Sequence, residues 1–159
     1  MNSQFIFILK FLSAFGCGLT AGVFFAFSTF VMPALARIEP SVGISAMQSI
    51  NVMAINPFFM TALFGTALTC LALIIVTLFG SYQTNVYWLI ASLVYLVGTI
   101  IVTIAFNVPL NDTLAVVNPE TESGRELWTK YLVDWTKWNH VRTISSLLAS
   151  ILFTLSFYR

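Results

Sequence analysis

The side chains able to do chemistry in this sequence crowd into one stretch, Asn107 to Arg142. It holds five of the six acidic residues, four of the seven lysines and arginines, and the single histidine. Three of the four tryptophans lie there too. On a helix advancing about 100° per residue, Trp128, Tyr131, Trp135, Trp138, Asn139 and Arg142 share about a third of the circumference. Polar groups of this kind can hold an oxygen-bearing ligand. Asn107 and Asn111, four residues apart, can share a helix face and add further amides. Pro109 between them breaks or kinks a helix and leaves the Ala105 carbonyl without its usual donor. With Asp112, this cluster also has the groups that satisfy a buried guanidinium.

Two groups are candidate bases. His140 has the more suitable intrinsic pKa, but its helical phase puts it with Val133, Ile144 and Leu147, opposite the tryptophans. Asp112 therefore ranks first, with His140 as the alternative. Asp112, Asp134 and His140 match no metal-ligand spacing, and one histidine with two cysteines makes no zinc or haem signature. Cys17 and Cys70 lie in apolar runs and read as small membrane-core residues rather than a disulfide framework. No phosphate-binding loop or nucleophile elbow occurs. No metal and no cofactor is expected.

The elements that must position these groups follow from composition. The chain has 159 residues, 58% hydrophobic and 8% charged, with a net charge of +1. Soluble domains carry about 25% charge, so this chain cannot cover its own surface in water. A soluble enzyme, a disordered chain and a nucleic-acid binder are excluded, the last because no basic field exists. The expectation is one all-α integral membrane domain over residues 1–159. Its four-helix transmembrane bundle has spans at about 5–31, 57–79, 86–106 and 141–158. Lys10 interrupts the first apolar run, which then continues too far for a signal peptide.

Span one is expected to end at Met32-Pro33. Ala14, Gly18, Gly22 and Ala26 form a small-residue stripe suited to close helix approach, while Phe15, Phe24, Phe25 and Phe27 meet lipid or fill gaps. Residues 37–56 form a connector with a short interfacial helix capped by Ser41, or a lid over the bundle mouth. Asn56-Pro57 caps span two, and Gly80 stops it. The short turn over residues 80–85 makes spans two and three antiparallel neighbours. Tyr87 and Trp88 mark the interface. Asn107 is the terminator of span three in one reading and a site residue in the other. Ser123 and Glu126 have capping-box spacing. A helix from there through span four is roughly 50 Å long, so its first half projects beyond the hydrocarbon.

Large aliphatics should face lipid, and small or polar residues should face other helices. Val133, Ile144, Leu147 and Ile151 take one side of the last helix, so the aromatic stripe with Arg142, Ser146 and Ala149 should point inward. A buried arginine there needs partners and marks a functional site by default. The competing reading of the tryptophans is an interfacial belt, but a belt should ring the bundle rather than line one face.

The segments MPALARIEP (32–40), AMQSIN (46–51), NP (56–57), NVPLND (107–112) and WTKWNHVR (135–142) occur in this order along the chain. In them the chain resembles the DUF1772 family, also called the anthrone oxygenase-like family. The paired NxPLN and WxxWNxxR elements are its most specific features. The resemblance implies a four-span membrane protein. It also implies an activity, since fungal relatives oxidise an anthrone to an anthraquinone with molecular oxygen and no familiar cofactor motif. The matching site positions are Asn107, Asn111, Trp135, Trp138, Asn139 and Arg142. Similarity to the short bacterial-type members implies the bacterial plasma membrane.

The expected function is thus a membrane oxidoreductase acting on a hydrophobic aromatic molecule taken from the lipid bilayer. Arg142, Asp112 and Asn139 would be catalytic, and Asn107, Asn111, Trp135 and Trp138 would bind substrate, the two tryptophans as a flat slot for its rings and the arginine and amides as donors to a developing enolate oxygen. The alternative is a non-enzymatic membrane protein, a small-ligand binder or a transporter or scaffold subunit, in which the polar cluster is a structural clasp. A roomy aromatic cavity beside Arg142 distinguishes the first from a tightly packed clasp.

Overall fold

The computed structural model describes residues 3–79 and 86–158. The protein is all-helical, 90% helix, with no strand among the described residues. Helix α1 spans Ser3–Leu35, α2 spans Pro40–Ala54, α3 spans Pro57–Phe79, α4 spans Val86–Ala115 and α5 spans Glu122–Leu155. Helices α1, α3 and α4 are long and apolar enough to cross a membrane. Helix α5, with Asn139, His140 and Arg142 midway along it, is not among them. The expected stop at Gly80 and the turn over residues 80–85 lie outside the described residues.

Helix α1 packs most extensively on α5, and also on α3; α4 packs on α5 and α3. The start of α1 meets the end of α5. Lys10 Nζ donates to the Ser156 carbonyl at 2.7 Å, and the Phe7 and Phe157 rings meet edge to face at 5.4 Å. The two helices are therefore antiparallel. Large aliphatics on the outside, such as Val133, Ile144, Leu147 and Ile151 of α5, are exposed as the lipid argument requires.

The interior divides into two apolar clusters. One surrounds Cys17, Cys70, Leu73, Tyr95 and Phe153. The other joins Met32, Ile44, Met47, Leu114, Trp128 and Tyr131. Between them, along α1, α4 and α5, lies a polar belt of Ser28, Thr103, Asn139 and Arg142. Helix α2 belongs to the second cluster. Its Ile44 and Met47 are fully buried, and Gln48 Nε2 donates to the Leu114 and Val117 carbonyls at 2.8 and 3.0 Å. It is thus folded onto α4 and the first half of α5, as the lid reading expects.

Several helix ends differ from expectation. Helix α1 does not stop at Met32-Pro33, and α4 does not stop at Asn107 or Pro109. In both, a π-helical segment, Phe27–Val31 or Thr103–Asn107, directly precedes the turn that carries the proline. A proline lacks the donor and crowds the carbonyl four residues back, and a locally widened turn absorbs that conflict without ending the helix. Ser41 does not cap α2: Glu39 takes the cap position and Pro40 the first helical position, because proline's fixed φ already suits it. Thr121, not Ser123, caps α5, accepting from the Gly124 amide at 3.2 Å. Helix α5 ends at Leu155, three residues before the expected limit. Asn56 caps α3 as expected, accepting from the Phe58 and Phe59 amides at 3.1 and 3.0 Å.

The small-residue stripe of α1 is only partly a packing face. Ala14 and Gly18 lie against Ser150 of α5, but Gly22 is exposed with open space where a Cβ would go. The closest approaches occur elsewhere, at Gly16 against Thr66 of α3 and Gly98 against Ser145 of α5. A helix touching two neighbours buries two adjoining stripes, and Gly16 lies on the one facing α3. Because a Cβ at Gly16 or Gly98 would overlap a neighbouring side chain, Gly16→Val and Gly98→Val should each destabilise by about 1–3 kcal/mol. Gly22→Val should leave the melting temperature in detergent unchanged. An equal loss at all three positions would refute this packing scheme.

Candidate functional site

Arg142 sits at the centre of the polar belt and is 5% exposed. Its Nη2 donates to Asn139 Oδ1 at 2.8 Å, one turn earlier on α5. Its Nη1 reaches Thr103 Oγ1 of α4 at 3.4 Å. Its guanidinium carbon lies 4.4 Å from the centroid of the Phe24 ring and 5.0 Å from that of Trp135, so two π faces support the cation. No carboxylate pairs with it: among the described residues the one ion pair is Arg125–Glu122, at 4.0 Å on the surface. Arg142 Nε is buried with no hydrogen-bond partner.

Asn139 is fully buried and fixes this arginine. Its Nδ2 donates to the Phe24 carbonyl at 2.7 Å and to Ser28 Oγ at 2.8 Å, tying α5 to α1. Ser28 Oγ also lies 2.9 Å from His140 Nδ1 and 3.2 Å from Thr143 Oγ1. The amide orientation of Asn139 is thus set from both ends: the nitrogen is held by α1, which leaves the oxygen for Arg142.

A cavity of about 600 Å³ opens beside Arg142, within the range of small-molecule sites. Its walls are mostly apolar and aromatic, with Phe24, Phe27, Phe59, Met60, Leu63 and Trp135 among them. The rings brace one another. Phe24 and Phe59 meet edge to face at 6.3 Å, and Phe27 and Trp135 lie 5.6 Å apart. Four polar groups of α4 and α5 also line it, Arg142, Thr103, Asn111 and Asp112. Asn51, Met53 and Ala54 from the C-terminal part of α2, with Ile55 just beyond it, cover part of it.

Asn111 Oδ1 accepts from Tyr131 Oη and from Trp135 Nε1, both at 2.8 Å. One amide oxygen therefore orients the indole that forms the cavity wall. Asn51 Nδ2 approaches Tyr131 Oη at 3.4 Å from α2. Burial pushes the Tyr131 phenol above its ordinary range, so it stays a donor to Asn111. Asn107 is buried behind the wall, and its Nδ2 donates to the Trp135 carbonyl at 3.2 Å.

The expected site residues thus fall into three groups. Arg142, Asn111, Asp112 and Trp135 line the cavity, with Asp112 exposed at its rim. Asn139 and Asn107 stand behind them as supports. Trp138 and His140 lie apart from the cavity. Trp138, expected to form the slot with Trp135, stacks instead on Phe106 of α4, with centroids 3.6 Å apart and planes 7° apart. It lies at the edge of the helical stripe, and the edge turns toward α4. His140 is on the exposed side, as its phase requires.

Phe24 and Phe27 correct the sequence reading most. Expected on the lipid or gap-filling side, Phe24 is buried under Arg142, and Phe27 lines the cavity. Phe24 lies four residues from both Thr20 and Ser28, and that small polar series marked the inward face of α1. Thr103, a hydroxyl inside an apolar span, was the corresponding signal on α4.

The family model described as anthrone oxygenase matches residues 56–152, from the cap of α3 nearly to the end of α5. No curated protein and no solved structure matches the chain. The matched region contains both polar elements of the site, on α4 and α5, and covers well over half of the chain. The chain belongs to the anthrone oxygenase (DUF1772) family.

Proposed function

We propose that the protein is a four-span membrane oxygenase that converts an activated methylene of a hydrophobic, ring-shaped molecule to a carbonyl, with oxygen and without a cofactor. The observation that carries this reading is the aromatic cavity of about 600 Å³ beside a buried arginine. A structural clasp alone has no need of such a space. The family and the helices apolar enough to cross a membrane support the same reading.

The reaction balances as CH2 + O2 → C=O + H2O. A carboxylate at the Asp112 position takes a proton from the methylene, which two aromatic rings and a conjugated carbonyl acidify. The electron pair left behind spreads to the carbonyl oxygen, where Arg142 donates hydrogen bonds to the enolate. The enolate passes one electron to oxygen and the radical pair recombines, forming a carbon–oxygen bond and, after protonation, a hydroperoxide. Loss of the second proton from that carbon forms the new carbonyl. The O–O bond breaks and the leaving hydroxide is protonated to water. Trp135, Phe24 and Phe27 hold the ring plane, and Asn139 and Asn111 hold Arg142 and Trp135. A bacterial plasma membrane would supply such a substrate directly from lipid.

Four crossings place Ser3 and Tyr158 on one side of the membrane and Ile38 and Glu122 on the other. Cysteines at Ser3 and Tyr158 should label with an impermeant maleimide from one face, and cysteines at Ile38 and Glu122 from the opposite face. Labelling of Tyr158 and Glu122 from the same face would remove the fourth span.

The activity is tested by oxygen uptake with an anthrone in detergent. One oxygen should be consumed per anthrone, yielding the quinone, and exhaustive treatment with a chelator should leave the rate unchanged. Arg142→Lys keeps the charge but loses the planar fork of donors, and should lower the rate by about 10²-fold while largely keeping the melting temperature. His140→Ala should stay close to wild type. Loss of activity in His140→Ala with full activity in Arg142→Lys would overturn the assignment, and a chelator-sensitive rate would overturn the cofactor-free mechanism.

A further inference from the structure

We infer that the cavity takes its aromatic ligand as an anion, with one oxyanion seated on Arg142. This rests on the ligand-site reading above and adds the charge state at which the site is filled. Arg142 has no counterion among the described residues. A guanidinium inside a membrane protein ordinarily finds a carboxylate, because an unpaired buried charge is expensive. Arg142 is 5% exposed, and no carboxylate among the described residues lies within ion-pair reach. Its protein partners are one amide oxygen at 2.8 Å and one hydroxyl at 3.4 Å, both neutral, and two π faces. Its Nε is without a partner. Hydrogen bonds to neutral acceptors leave the positive charge uncompensated.

Asp112 is the one carboxylate among the cavity-lining residues. It lies exposed at the rim and makes no ion pair with Arg142. The site thus keeps its cation inside and its anion outside. That arrangement favours a ligand carrying one negative charge at the inner end of an otherwise apolar body. The body is a ring system because the walls are ring faces and edges, Phe24, Phe27, Phe59 and Trp135. An enolate, a phenolate and an aromatic carboxylate share this chemistry. A neutral ketone gains it on losing a proton to form the enolate, and a quinone lacks it, so oxidation of a bound anion to a neutral product would also weaken its hold on the site.

The probes are 2-naphthoate and its neutral isostere 2-naphthamide, titrated calorimetrically at neutral pH into the full-length protein in detergent. Naphthoate should bind at least about tenfold more tightly, as a charge-assisted hydrogen bond to a desolvated guanidinium provides. Micelles take up the amide more readily than the anion, so each probe is also titrated into protein-free micelles and the affinities are expressed on its free concentration. Arg142→Gln should abolish the preference, whereas Lys137→Gln, at an exposed lysine outside the cavity, should retain it. Equal affinities for the two probes in the wild-type protein would overturn the inference, and this comparison stands even if Arg142→Gln fails to fold. Loss of the preference in Lys137→Gln would also overturn it. Displacement of naphthoate by dodecanoate at much lower concentration would make the ligand an acyl anion and overturn the ring half. Binding of neither probe would overturn it together with the ligand-site reading. Tight naphthoate binding without oxygen uptake on any anthrone would instead sink the oxygenase while leaving the anion site intact.

Discussion

A single cation held out of water organises the middle of this protein. Arg142 is kept in place by neutral groups alone, and each of those groups is itself fixed by another helix. Asn139 can turn its oxygen to Arg142 because its nitrogen is engaged by the Phe24 carbonyl and Ser28 on α1. Phe24 serves twice, through its carbonyl to Asn139 and through its ring to the guanidinium. Thr103 brings in α4. Removing any one of these leaves a buried polar group unsatisfied, at a cost of about 1–3 kcal/mol. The belt is therefore cooperative, and it ties α1, α4 and α5 together at one level of the fold.

Apolar packing on either side fixes the height of that belt. Toward the chain ends, Cys17, Cys70, Leu73, Tyr95 and Phe153 fill the interior tightly. At the other end, α2 folds onto α4 and the first half of α5 around Ile44, Met47 and Trp128. The cavity lies where neither cluster reaches. π-helical turns at Phe27–Val31, Thr61–Gly65 and Thr103–Asn107 each contribute a residue to its wall or begin beside it. Such turns are rare and widen a helix locally. They shift the side chains that follow them out of regular register, which opens room between helices that would otherwise close.

Legibility in the sequence followed from what sets each feature. The buried face of α5 obeys a simple periodicity because one uninterrupted helix of 34 residues presents one stripe to its neighbours. Trp128, Tyr131, Trp135, Asn139, Arg142, Ser146 and Ala149 are buried as that periodicity requires, and His140 is not. Asn56-Pro57 was readable because capping is local. Pro33 and Pro109 misled, since a π turn upstream depends on tertiary support rather than on any residue nearby. Gly22 misled because a GxxxG spacing says that a close approach is possible and not which neighbour is present. Phe24, Phe27 and Phe59 were opaque for a related reason: in lipid an aromatic side chain is equally at home outside and inside, so its type carries no information about its direction.

The contact between the first and last helices has a consequence for biosynthesis. Helix α1 is made before α2, α3 and α4, yet its most extensive partner, α5, follows all of them. Until then the Phe24 carbonyl and Ser28 lack their Asn139 partner, and Lys10 lacks the Ser156 carbonyl that receives its ammonium. The contact between α1 and α5 therefore forms only after α5 has been made. By then the groups that receive Arg142, on α1 and α4, already exist. The order of the helices along the chain thus has the partners of the buried cation made before the cation itself, and a molecule truncated before α5 would leave the polar groups of α1 without theirs.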